Sequence, residues 1–213
     1  MMFLNEEVQK QIREFIGVIE RKVTIVLFTK EEPCDLCEET KQLIYEVKAL
    51  NDKIEIVEKD FIKDVDDVTK YHIEMVPSFV LLDHEGTYKG VKFNGIPAGH
   101  EINAFLTALI EMSGVDFKLD PYFIERIAKI NKPVNIKVFV TLTCPHCSGA
   151  VQKAHRLAMS SKFVEAEMIE AQTFYDLSEK YQVTGVPKIV FNDKFDIVGN
   201  QPMDAFLDQI DKL

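Results

Sequence analysis

The chain has 213 residues, 46% of them hydrophobic and 28% charged, with no Trp and a formal net charge of −10. This composition supports one or two packed domains and excludes a disordered chain. An acidic balance without a basic run excludes nucleic acid and anionic membrane as the expected partners.

The opening "MMFLNEEVQK" lacks a basic region, an apolar run and a cleavage site, and no apolar stretch approaches the length of a membrane span. A cytoplasmic protein is expected, and in that compartment disulfides are mostly transient and catalytic. "NEEVQKQIREFIGVI" places Val8, Ile12, Phe15, Ile16 and Ile19 at helical spacing, with Asn5 as N-cap. "VTIVLF" (23–28) is a buried strand. "CEETKQLIYEVKAL" is a helix, "KIEIVEKD" a strand, "TKYHIEMV" a short helix, "SFVLLD" and "GVKFNG" two strands, and "EINAFLTALIEM" a closing helix. The course then repeats. Asp120 caps a helix with Pro121 at its first position. "VNIKVFV" is a strand, "SGAVQKAHRLAM" a helix, "FVEAEMIE", "KIVF" and "FDIV" strands, and "PMDAFLDQI" the last helix.

The repetition has a fixed offset. Cys34 and Cys144, Asp60 and Glu170, Pro77 and Pro187, and Asp83 and Asp193 each stand 110 residues apart. The chain therefore reads as an internal duplication, divided at "SGVDFK" into domains 1–115 and 116–213. The β-α-β start of each half implies a parallel pair with a right-handed crossover. The later strand pair adds antiparallel, for a four-stranded mixed sheet per half flanked by helices.

All four cysteines lie in two Cys-x-x-Cys pairs, Cys34/Cys37 and Cys144/Cys147. Zinc ribbons separate such pairs by about 15–20 residues, whereas 106 residues intervene here. A structural staple closing so short a loop constrains the unfolded chain little. The redox alternative has a mechanism. A helix beginning at the first cysteine presents free N–H groups and a positive dipole end that favour a thiolate. The thiolate attacks a disulfide, and a second cysteine one turn away resolves the product. Cys34 and Cys144 are the expected nucleophiles, and Cys37 and Cys147 the resolving thiols. A metal or cluster scaffold is the competing class.

Each half resembles thioredoxin: strand, Cys-x-x-Cys, helix, then the Val-Pro step of "EMVPSFVLLD" or "TGVPKIVFND". The whole chain, including "FNGIPAGHEINAFL", is similar to the two-domain protein disulfide oxidoreductases of thermophilic archaea and bacteria, which are glutaredoxin-like and related to protein disulfide isomerase. The resemblance implies an α/β architecture of two tandem thioredoxin-like folds and redox-active disulfides Cys34–Cys37 and Cys144–Cys147, with no other cofactor and no metal. It implies cis peptides at Pro77 and Pro187, with Val76 and Val186 against the disulfides and their backbone open to extended substrates. It also implies protein disulfide substrates and a thioredoxin-reductase-like flavoprotein as electron donor. The chain is similar as well to the two-fold N-terminal part of flavoprotein peroxiredoxin reductases, but those modules keep one cysteine pair.

Two departures stand out. Pro33 and Thr143 occupy the place of thioredoxin's Trp. Its buried acid is replaced by Phe28 and Val138, while Asp60 and Glu170 read as capping or solvated acids. His72, His84, His100 and His155 read as surface or packing residues. The two sites should differ. Pro145 at the first helical position and His146 favour a Cys144 thiolate. Asp35, with Glu31, Glu32, Glu38 and Glu39, disfavours one at Cys34.

Overall fold

The computed structural model describes residues 3–31 and 33–213; Met1, Met2 and Glu32 lie outside them. Asn5 accepts a hydrogen bond from the Val8 N–H and starts α1 (Glu6–Phe15). β1 (Val23–Thr29) has β2 (Ile54–Asp60) parallel on one side and β3 (Ser78–Leu82) antiparallel on the other. β4 (Tyr88–Asn94) adds antiparallel to β3. α2 (Cys37–Lys48), α3 (Val65–Lys70) and α4 (Ile102–Met112) complete the first half. The second repeats it with α5 (Pro121–Ile127), β5 (Val134–Val140), α6 (Cys147–Ser160), β6 (Val164–Glu170), α7 (Tyr175–Lys180), β7 (Lys188–Phe191), β8 (Phe195–Val198) and α8 (Met203–Ile210). Asp120 caps α5 through the Tyr122 N–H, with Pro121 first in the helix.

The short helix expected over "TKYHIEMV" begins earlier and stops at Lys70. His72 takes φ +50°, and its counterpart Gln182 takes φ +51°. A left-handed residue cannot continue a right-handed helix, so the chain from Tyr71 to the Val-Pro step runs as turn, irregular backbone and bend.

The two four-stranded sets are joined. β4 pairs parallel with β6, from Val91 opposite Ala166 to Asn94 opposite Ile169, making one eight-stranded sheet in the order β2-β1-β3-β4-β6-β5-β7-β8. On the face covered by α4 and α6, Val91 and Phe93 join Ala166 and Met168 in a core that runs through both halves. On the other face the seam is polar. Asn94 donates to Glu167 (2.8 Å), Asn135 donates to the same carboxylate (3.1 Å), and Lys137 stands 3.8 Å from it. Smaller apolar clusters involving Tyr71 and Tyr181 fill the sheet's other face at the outer flanks of this seam.

Pairing directions decide where the cysteines go. β1, β4, β6 and β5 all run the same way, so both Cys-x-x-Cys loops leave the same edge of the sheet. Three strands separate β1 from β5. At roughly 4.8 Å per strand, their axes are about 19 Å apart.

Gly90, beside the seam, takes φ +78°, and a Cβ there would run into the Val164 carbonyl. Gly90→Ala should therefore cost about 2 kcal/mol, read as a lower urea midpoint at unchanged m value; an unchanged midpoint would show that the seam yields.

Candidate functional site

Each site is assembled from three segments: the loop after β1 or β5, the first turn of α2 or α6, and the Val-Pro step before β3 or β7. Cys34–Cys37 and Cys144–Cys147 are disulfides, each with its Cα atoms 5.6 Å apart. Cys34 and Cys144 are half-buried, whereas Cys37 and Cys147 are 3% and 0% exposed. Burial thus separates the cysteine that a partner can reach from the one that it cannot. The pairs sit in separate halves with three strands between them, an arrangement that does not fit one four-cysteine metal site.

The helices begin at the second cysteine of each pair, not the first. At the second site the Cys147 N–H donates to the Cys144 carbonyl (3.4 Å), closing a turn over Pro145 and His146. Pro145 is therefore the second residue of a turn, where its fixed φ also fits, and not the first residue of a helix. At the first site Leu36 takes φ +66°, a left-handed conformation that ends the turn before α2.

Val76–Pro77 and Val186–Pro187 are both cis, as the resemblance implies. The Pro77 carbonyl accepts from the Gly95 N–H and the Pro187 carbonyl from the Gly199 N–H, each at 2.8 Å. The Val186 carbonyl oxygen lies 3.8 Å from Cys144 Sγ. The Val76 N–H and C=O make no hydrogen bond among the described residues.

The charges around the two sites differ. Glu38 and Glu39 stand exposed in the first turn of α2, and Asp35 is exposed beside Cys34. The first turn of α6 has no acid, and Pro145 and His146 are exposed. Glu31 is paired with Lys63 at 3.1 Å in open solvent, and Glu32 lies outside the described residues. Asp60 and Glu170 cap turns. Asp60 accepts from the Ile62 and Lys63 N–H groups, which hold its carboxyl below the usual range. Glu170 is buried and accepts from the N–H and hydroxyl of Thr173 at 2.6 Å. His155 is buried against Phe93, and burial lowers it to about 4. His72 is exposed but not idle: its Nδ1 lies 2.9 Å from Glu165 across the seam.

Sequence reasoning missed Glu101. It is 0% exposed, and neither carboxylate oxygen has a hydrogen-bond partner among the described residues. Burial pushes its pKa up to about 8. It ends a 3₁₀ turn, Gly99–Glu101, that is held against the second site. The His100 N–H donates to the Leu142 carbonyl (2.9 Å), two residues before Cys144, and the turn packs on α6, which begins at Cys147. In the sequence, "GHEINAF" reads as an ordinary acid at a helix start.

Two thioredoxin-like halves in one sheet, each with a Cys-x-x-Cys disulfide and a cis Val-Pro step, define a tandem thioredoxin-like fold. Comparison with known proteins specifies the likeness further. Residues 134–212 match the thioredoxin domain family. The alkylhydroperoxide reductase protein AhpF of Enterococcus faecalis superposes with a TM-score of 0.92 at 28% identity, covering 98% of this chain and 100% of that one. The protein disulfide oxidoreductase of Aeropyrum pernix K1 gives 0.89 at 26% identity, covering 99% and 93%. The corresponding alkyl hydroperoxide reductase protein of Staphylococcus aureus is 26% identical over 189 residues, 89% of this chain and 34% of that protein. The chain thus spans about a third of the length of the curated relatives it matches. Among the described residues no helix is long and apolar enough to cross a membrane.

An acid with a raised folded pKa loses stability as pH rises from its unfolded value to its folded one. For Glu101 that window runs from 4.5 to about 8. The Tm advantage of Glu101→Gln over the parent should therefore grow by about 5–10 °C between pH 5 and pH 8.5. A difference independent of pH would show that the carboxyl is solvated.

Proposed function

We propose that the chain exchanges disulfides with protein substrates through both sites, residues 1–115 and 116–213 being two domains that each carry one. The observation that carries this reading is the completeness of each half: a half-exposed cysteine, a buried partner and a cis Val-Pro step. In the reducing direction the Cys144 thiolate attacks a substrate disulfide, forming a mixed disulfide and expelling one substrate thiolate. Cys147 then loses its proton and attacks Cys144 Sγ. The site closes as a disulfide, and the substrate leaves as a dithiol with two electrons gained. Cys34 and Cys37 do the same at the first site. Val76–Pro77 and Val186–Pro187 offer backbone to an extended substrate. A thioredoxin-reductase-like flavoprotein would return the electrons in the cytoplasm. A relay dedicated to one peroxidase is the second reading, favoured by the likeness to the alkyl hydroperoxide reductase proteins.

Asp35, Glu38 and Glu39 oppose a thiolate at Cys34, whereas neither the Pro145-His146 dipeptide nor the first turn of α6 carries an acid. A less stable thiolate makes its disulfide harder to reduce. Glu101 serves the second site from the first domain, taking the Cys147 proton in the resolving step. Its fully buried, unpartnered carboxylate on the turn packed against Leu142 and α6 supports that role.

Insulin reduction should survive Cys34→Ser or Cys144→Ser and vanish when both are changed. Activity in the double variant would remove the proposal, and turnover confined to one peroxidase would favour the relay. Redox titration of proteins with a single intact pair should place Cys34–Cys37 about 30 mV or more below Cys144–Cys147; the reverse order would overturn the tuning.

Glu101→Gln should slow turnover at the second site about 10²-fold and abolish a rate increase centred near pH 8. The first site should be unaffected. An unchanged pH profile would leave Glu101 a packing residue.

A further inference from the structure

The first site has a neighbour that the second lacks. Because β4 pairs with β6, the chain leading to Val76–Pro77 lies beside the start of α7 from the other half. Between them is an open cleft of about 550 Å³. Its apolar surface comes from Met75 on one side and Phe174, Tyr175 and Leu177 on the other. Its charged groups are Glu74 and Asp176 against one Lys180, so the rim is net acidic.

The equivalent place at the second site is bare. The counterparts of Glu74 and Met75 are Thr184 and Gly185. A Cβ on Gly185 would touch only Val198 Cγ1, at 4.0 Å. β8 is an edge strand of the sheet, with no strand paired beyond it among the described residues.

We propose that this cleft selects the substrates of the first site. Its occupant is an extended segment of a disulfide-bearing protein, with a large apolar residue beside the cysteine and a basic residue next to that. The inference rests on the exchange function proposed above.

Three observations fix the occupant. Met75 directly precedes Val76, whose N–H and C=O are free to pair with an extended chain among the described residues. Side chains of such a chain alternate between its two sides, so one beside the cysteine points toward the second half and enters the cleft. The cleft's methionine and aromatic side chains accept varied apolar shapes. Its acidic rim favours a cation beyond, as does the chain's net charge of −10.

The test uses the full chain with one pair intact, either Cys144→Ser with Cys147→Ser or Cys34→Ser with Cys37→Ser. The probes are two synthetic peptides disulfide-bonded to a chromogenic thiol, one with Leu-Arg and the other with Gly-Glu after its cysteine. At the first site kcat/KM should favour the Leu-Arg peptide about tenfold or more, and at the second site the two should agree within about twofold. Tyr175→Asp, on a residue 61% exposed, should reduce the first-site preference to near unity. Asp176→Lys should remove the part due to Arg. Neither should change the rate of either peptide at the second site. Equal preference at both sites, or a preference that survives both substitutions, overturns the cleft. No exchange with either peptide at either site overturns the exchange function and the cleft with it.

Discussion

The parallel pairing of β4 with β6 is the contact on which the rest of the molecule depends. Strand pairing alone would leave two thioredoxin-like sheets free to slide, since a ladder of four residue pairs from Val91 to Asn94 is short. Register is set by the side chains on the two faces. On the helix-covered face, Phe93 is stacked on Phe79 with centroids 4.8 Å apart, and the His155 ring meets it at 4.7 Å. On the other face, Glu167 is 6% exposed and takes hydrogen bonds from Asn94 and Asn135, one from each half. A one-residue slip would turn Asn94 into the apolar core and Phe93 out of it. Buried polar groups such as these are weak sources of net stability, and their contribution here is to allow a single register.

The seam also makes two copies of one unit unequal. It joins the last strand of the first half to the outer parallel strand of the second, head to tail, so each site meets a different part of the other half. The first site's Val-Pro approach faces α7. The second site's cysteine loop faces the Gly99–Glu101 turn, with a backbone hydrogen bond between them. Gly99, at φ +59°, fits there because a Cβ would collide with the Leu142 carbonyl. The Cys-x-x-Cys dipeptides differ, and so do their surroundings, because each site faces a different part of the other half.

Much of this was legible in the sequence wherever local chemistry decided the outcome. Asn5, Asp120 with Pro121, the 110-residue offset and the two Val-Pro steps all led to the elements seen. Less legible were features decided by contacts distant in sequence. Nothing in "TYKGVKFN" announces an edge strand with a partner 75 residues on. The segments "CEETKQLIYEVKAL" and "SGAVQKAHRLAM" are the helices seen, but a helix beginning at the first cysteine is not, because a Cys-x-x-Cys stretch has helical spacing whether it is a turn or a helix, and only the left-handed Leu36 and the closed turn over Pro145 distinguish them. Glu101 was hidden for the same reason as the seam: its burial comes from α6, an element of the other half.

The shared edge places a physical limit on how the two disulfides can cooperate. Thiol–disulfide exchange needs a sulfur–sulfur bond to form, so electrons move between two pairs only when their sulfurs touch. The strands delivering the two motifs are about 19 Å apart at the usual strand spacing, and the three strands between them belong to one hydrogen-bonded sheet. Bringing Cys34 to Cys144 would require breaking the seam that fixes both. The seam therefore holds the two disulfides apart, and exchange between them would need a third thiol to carry it. Acids stand exposed beside Cys34, and none stands in the first turn of α6, so the two disulfides differ in electrostatic surroundings as well as in place.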